Sequence, residues 1–315
     1  MLKRIANLLF WTARNLERAE WRARLIDVNY HLLVESPGGP NDGWLPMLAI
    51  TGDRAGFFSR YPAPEERLVL AYYTIDKDDA SSIKNCISFA RENCRSLRNR
   101  ISSELWVEIN TLFLESQSWT AQTYLDRGVY GFFLELRDRF YRLSGVLENT
   151  MPRDESYYFL SLGRMLEAAE NVTRLLDVKY HFLLPRFEDV GSALDLAQWA
   201  ALLRSASALE AYTARYGSPI NIERVADLLL FDPGFPRAAR FSIERAVSAL
   251  GAIAAGGNGG NEAREIPAAP ALLKRLSDGS AAAVIEGGLH EFLLGVQEDC
   301  AKISDEVFAR YLSTD

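Results

Sequence analysis

The feature that most constrains this chain is a stretch that occurs twice. Leu9 to Val34 reads LFWTARNLERAEWRARLIDVNYHLLV, and Phe159 to Leu184 reads FLSLGRMLEAAENVTRLLDVKYHFLL. A constant offset of 150 aligns the two without a gap. Arg14, Leu16, Glu17, Ala19, Glu20, Arg24, Leu25, Asp27, Val28, Tyr30, His31 and Leu33 meet the same residue types at Arg164, Leu166, Glu167, Ala169, Glu170, Arg174, Leu175, Asp177, Val178, Tyr180, His181 and Leu183. Self-similarity over so long a period points to a duplicated architectural unit.

The spacing within the stretch is helical. At 100° per residue, Glu17, Glu20, Arg24, Asp27 and His31 fall in one arc with Arg14 at its edge. Most of the remaining circumference carries Leu16, Ala19, Ala23, Leu25, Ile26, Val28, Leu32 and Leu33. A surface helix has a broad polar face and a narrower apolar one; here the proportions are closer to reversed. The expectation is a helix buried on several sides, whose charged stripe meets another charged surface or a polar cavity. The twin carries the same stripe at Arg164, Glu167, Glu170, Arg174, Asp177 and His181.

Helical signals run through the rest of the chain, and alternating strand patterns are almost absent. Glu35 to Gly43 is a breaker cluster, followed by a short helix from Trp44 to about Ile50 and a turn at Thr51 to Asp53. Pro64, Glu65 and Glu66 open a helix to about Ile75. Ser81 or Ser82 caps the next, which is expected to end near Arg100; Ser102 and Ser103 start another, and Val129 to about Thr150 is a last long one. The second half repeats that order at offsets of 155 to 157: Trp44-x3-Leu48 against Trp199-x3-Leu203, and Glu66-Arg67 against Glu223-Arg224. The predicted fold is all-α, an internally duplicated helical bundle with a pseudo-two-fold arrangement of repeats 1–150 and 151–315. Met151 to Ser156 is too short for a flexible linker, so the two form one body. The glycine-rich Gly256 to Asn261 lacks a G-K-[ST] ending and reads as a surface loop, not a phosphate cradle.

Composition excludes several function classes. A net charge of −7 lacks the basic footprint of a nucleic-acid binder. No stretch approaches the ~20 apolar residues of a membrane span, and Arg14 interrupts the N-terminal apolar run that a signal peptide would need. Cys86, Cys94 and Cys300 are scattered, without CxxC spacing, and read as reduced thiols in a cytoplasmic protein. His290 stands apart from the repeat pair His31 and His181 and reads as a packing residue.

The stripes admit three readings. Glu20–Arg24, Arg14–Glu17 and Arg24–Asp27 are pairs at helical spacing, so two facing copies form a buried ion-pair network that fixes register. Alternatively, six carboxylates and two imidazoles supply a metal site, although bundle metal sites use Glu-x-x-His and two arginines per copy disfavour a cation. Or the arginines hold an anionic or peptide carboxylate group, with the acids orienting them. The candidate substrate-binding residues are therefore Arg14, Glu17, Glu20, Arg24, Asp27 and His31 with Arg164, Glu167, Glu170, Arg174, Asp177 and His181; no metal or cofactor is assigned.

The motif Arg14-x-x-Glu17-Arg18-Ala19-Glu20-x3-Arg24-Leu25-x-Asp27-Val28 resembles the alpha-E domain family of bacterial proteins. So does Gly163-Arg164-x-x-Glu167-x-x-Glu170-x3-Arg174-Leu175-Leu176-Asp177-Val178 in the second copy. Ala49-Ile50-Thr51-Gly52-Asp53, Ala90-Arg91-Glu92-Asn93, Ser102-Ser103-Glu104-x-Trp106 and Gln198-Trp199-x3-Leu203-x-Ser205 extend the likeness along the chain. Trp21 departs from the small or polar residue that Asn171 represents in the second copy. The resemblance implies an all-helical protein encoded beside, or fused to, a circularly permuted ATP-grasp ligase-like protein, often with a transglutaminase-like protease. The expected function is the non-ATP-binding partner in an amide ligase system acting on a peptide or peptide-like metabolite. A metal-dependent enzyme built on the stripes is the alternative.

Overall fold

The structure, a computed structural model, describes residues 1–35, 44–182, 192–217, 219–256 and 266–313; the side chains of residues 31–35, 46, 125, 178–182 and 194 lie outside that description. Among the described residues every regular element is a helix. In order they are α1 (Lys3–Glu35), α2 (Leu45–Ile50), α3 (Arg54–Phe58), α4 (Glu66–Ile75), α5 (Ile83–Arg95), α6 (Ser103–Gln117), α7 (Ala121–Asp126) and α8 (Val129–Thr150). Then come α9 (Glu155–Phe182), α10 (Ala193–Ser205), α11 (Leu209–Tyr216), α12 (Ile222–Ala226), α13 (Ala239–Gly256), α14 (Ala268–Asp278), α15 (Ala281–Gly287) and α16 (Leu289–Val307). Wider π-type turns, Asp227–Phe231 and Phe308–Leu312, continue α12 and α16. None of the described helices is long and apolar enough to cross a membrane.

Side-chain caps set several helix starts. The hydroxyls of Ser82, Ser102, Ser192 and Ser280 each accept a backbone N–H from three residues on, satisfying a donor that the first turn leaves unpaired. α5 stops at Arg95, short of the Arg100 expected from sequence. The chain there turns through Leu97 N–H to the Cys94 carbonyl and Arg100 N–H to the Leu97 carbonyl, which carries Leu97 and Ile101 into the core. The Glu35 to Gly43 and Gly256 to Asn261 loops expected from sequence lie almost wholly outside the described residues.

The two long helices α1 and α9 pack on each other at the centre. α1 also packs on α5, α8 and α10, and α9 on α13, α16 and α2. One apolar cluster runs from Ala6 to Leu312. In α1, residues 19–28 are all buried, charged side chains included. The backbones come close at Gly163, where a Cβ would run into the backbone carbonyl of Phe10. Glycine there lets the helices approach until side chains of the two stripes touch.

Candidate functional site

Arg14 on α1 lies across two acids of α9. Its Nε donates to Glu167 at 2.7 Å and its Nη2 to Glu170 at 2.6 Å. One turn on, Arg18 forms a fork with the same Glu167, Nε to Oε1 at 2.7 Å and Nη2 to Oε2 at 2.9 Å. Burial opposes the charge on Glu167, but Arg14 and Arg18 outweigh it and hold the carboxyl below its ordinary range. A further turn on, Arg22 leaves α9 and meets two acids from loops, Asp79 at 2.6 Å and Asp53. Asp79 is presented by a turn that Asn85 ties down, its amide donating to the carbonyls of Asp76, Lys77 and Asp79. Burial, with Asp79 adding to it, lifts the Asp53 carboxyl above its ordinary range despite Arg22.

The other edge of α1 presents the acid part of the stripe. Glu20 accepts from Arg24, one turn along the same helix, and from Arg237 at 2.8 and 3.3 Å. Those two cations overcome burial and pull Glu20 down to about 2. Glu17 is left with Arg237 at 3.7 Å, and burial beside the Glu20 charge pushes it up to about 7. Arg24 is closed in: its Nη1 donates to the Ser207 hydroxyl and to Tyr141 at 3.1 Å, and its side chain is 1% exposed. Ser207 has φ 52, the one non-glycine positive φ among the described residues, at the end of α10.

Arg174 sits 150 positions after Arg24, and its surroundings differ. The turn it approaches follows α2, where Gly52 takes φ 72 and carries no side chain. A Cβ on Gly52 would lie 3.6 Å from Arg174 Nη1. The only ion pair of Arg174 among the described residues is a 3.9 Å contact to Glu170, and its side chain is 41% exposed. Beside it opens a cavity of about 280 Å³, walled by Arg18, Arg22, Glu167, Glu170 and Asp53, with Trp21 and Ile50 as apolar surface. Asn171 lines the same cavity; it is buried, and its amide nitrogen has no hydrogen-bond partner.

The profile of the Alpha-E family, described as a predicted alpha-helical domain with a conserved ER motif, matches residues 1–312. The chain belongs to the Alpha-E family. Among curated proteins it is similar to uncharacterized proteins of Mycobacterium bovis and of Mycobacterium tuberculosis, each 24% identical over 265 residues. That match covers 77% of this chain and 29% of the relative, so the chain spans less than a third of the length of these relatives. No solved structure matches it. A Glu-Arg dipeptide of this Alpha-E chain, Glu17-Arg18, lies within the charged network.

The structure brings Arg14, Glu167 and Glu170 together, and separately Glu17, Glu20 and Arg24. Asp27 pairs with Arg137 of α8, and Arg164 turns to Glu148 at 3.5 Å. The His31 and His181 side chains lie outside the described residues. His290, expected to stand alone, reaches the second stripe: its Nδ1 is 2.6 Å from Asp177. Arg18, Arg22, Arg237, Asp53, Asn171 and Ser207 were not among the candidates. For the first two the signal was present, since Arg14, Arg18 and Arg22 recur every four residues and form a basic ridge beside the stripe. Arg237, Asp53 and Ser207 come from loops, whose place against α1 no helical spacing encodes. Among the described residues no group of three His, Cys, Asp or Glu side chains could hold a metal ion.

Proposed function

We propose that this Alpha-E protein is the non-ATP-binding partner subunit of an ATP-grasp type amide ligase system in the cytoplasm. It holds or presents a peptide-like substrate in the cavity between α1 and α9. The observation that carries the reading is Arg174, a guanidinium with one long ion-pair contact beside a cavity of about 280 Å³. Binding sites are concave and place a few polar groups that fix a ligand's orientation. The ligase partner, and a transglutaminase-like protease as a further one, follow from the family resemblance. In the relatives the matched segment is a minor part of a longer chain, which suits a domain that works beside other modules. A metal-dependent enzyme draws less support: both oxygens of Glu167 and both of Glu20 already accept from guanidinium groups, and a cation entering there displaces them.

The same reading treats the chain as two copies, 1–150 and 151–315, of one unit in a single pseudo-two-fold body. It is supported by reciprocal packing. α1 meets α10 as α9 meets α2, and Arg24 reaches Ser207 as Arg174 approaches Gly52, 155 positions earlier. The test of the function is gentle affinity purification from the native host with mass spectrometry of what accompanies the protein. A near-stoichiometric ATP-grasp protein is expected; recovery of the chain alone refutes the partner reading.

A further inference from the structure

The cavity at Arg174 carries more than a general binding role. Its counterpart around Arg24 is filled from within, because Ser207 and Tyr141 accept from Arg24 Nη1 and Glu20 from its Nη2. At Arg174 the corresponding turn holds Gly52, and the space that a hydroxyl occupies in the twin is left open. Two groups in the cavity therefore have donors to spare: the Arg174 guanidinium and the Asn171 amide nitrogen, buried and unpartnered. Both ask for an acceptor. A guanidinium offers a carboxylate a two-pronged fit, and an adjacent amide extends it.

Charge balance narrows the ligand. The cavity lining sets Arg18, Arg22 and Arg174 against Glu167, Glu170 and Asp53, three cations against three carboxylates. A bare anion entering this neutral cluster leaves it with a net negative charge at low dielectric. A ligand bearing one charge of each sign does not. Glu170 and Asp53, whose side chains are 14% and 21% exposed, line the cavity; Glu170 Oε1 takes Arg14 and Asp53 Oδ2 takes Arg22, which leaves the second oxygen of each to accept an ammonium group.

We infer that the cavity between α1, α9 and the turn after α2 binds a small zwitterion with a free carboxylate and a free ammonium, a free α-amino acid or a short unblocked peptide. The carboxylate lies on Arg174 and Asn171, the ammonium against Glu170 and Asp53, and the side chain along Trp21 and Ile50. The inference rests on the reading of this cavity as the substrate-holding site, and it adds the ligand class.

The test is titration calorimetry on the full chain with L-alanine and L-alanyl-L-alanine. The comparison ligands are N-acetyl-L-alanine, L-alaninamide and inorganic phosphate. One of the two zwitterions is expected to bind, and which one does separates amino acid from peptide. Each ligand that carries charge of one sign only should bind at least tenfold more weakly, and Arg174→Gln should weaken the zwitterion at least tenfold. Gly52→Ser, which rebuilds the hydroxyl found at Ser207, should weaken it independently. Phosphate or N-acetyl-L-alanine binding as tightly as the zwitterion overturns the assignment, as does silence with both zwitterions. Silence while an ATP-grasp protein still co-purifies removes the ligand class and leaves the partner reading standing; binding without co-purification does the reverse.

Discussion

Replacing Glu17 with glutamine should change how stability depends on pH. Glu17 and Glu20 share Arg237, but Glu20 takes its two shorter contacts and Arg24 as well. Glu17 is left buried next to a like charge, and its carboxyl rises from an ordinary 4.5 to about 7. Between those values the folded chain holds a proton that the unfolded chain has released. Stability from this group is therefore intact below about 4.5 and falls as pH rises, levelling off above about 7. At about 1.4 kcal/mol per pH unit, the loss is on the order of 3 kcal/mol. Glu20 works in the opposite direction: held near 2, it stabilises the fold above about 4.5, and that contribution is lost as pH falls toward 2. Glu20, held near 2, stays ionised in the fold from pH 5 to pH 8, so comparing Glu17→Gln with the parent over that range isolates the Glu17 proton. Denaturant unfolding at pH 5 and pH 8 should show the variant gaining on the parent by on the order of 3 kcal/mol between the two. A difference that stays constant with pH would mean that Glu17 titrates alike in the folded and the unfolded chain.

Two further predictions follow from packing. Gly163→Ala places a methyl against the Phe10 carbonyl and should cost about 1–3 kcal/mol in equilibrium unfolding, by forcing α1 from α9. All three cysteines are buried; desolvation pushes the thiols of Cys86 and Cys94 up to about 12 and that of Cys300 in the same direction. A thiol reagent at neutral pH should label less than one thiol per native chain and all three after denaturation.

The helical class and the two long charged helices were legible because period and charge pattern are local. The caps at Ser82 and Ser102 were legible for the same reason. What the stripes do was not. Identical residues at 24 and 174 end in opposite surroundings, and the difference is made elsewhere, by serine at 207 and glycine at 52. Arg237 enters from the turn before α13 and takes Glu20, while Arg14 and Arg18 take Glu167. The stripes also carry two kinds of contact. One edge of α1 faces α9 directly and the other faces α8 and loops, so facing stripes alone did not describe the network. His290 joined Asp177 although nothing near it in sequence repeats. Pairings across about 110 positions are set by tertiary packing, which no window of the sequence contains.

In the proposed site Arg24 is locked into the structure while Arg174 keeps its donors for a ligand. Equilibrium unfolding of Arg24→Met beside Arg174→Gln separates these two roles. Arg24 is 1% exposed and bound to Glu20, Ser207 and Tyr141, so its loss should cost about 3 kcal/mol, the low end for a broken buried pair because Arg237 stays on Glu20. Arg174 is 41% exposed with a single 3.9 Å contact, and its loss should cost about 1 kcal/mol or less. Equal losses of about 3 kcal/mol would mean that both arginines hold the helices together and that Arg174 has no donors left for a ligand.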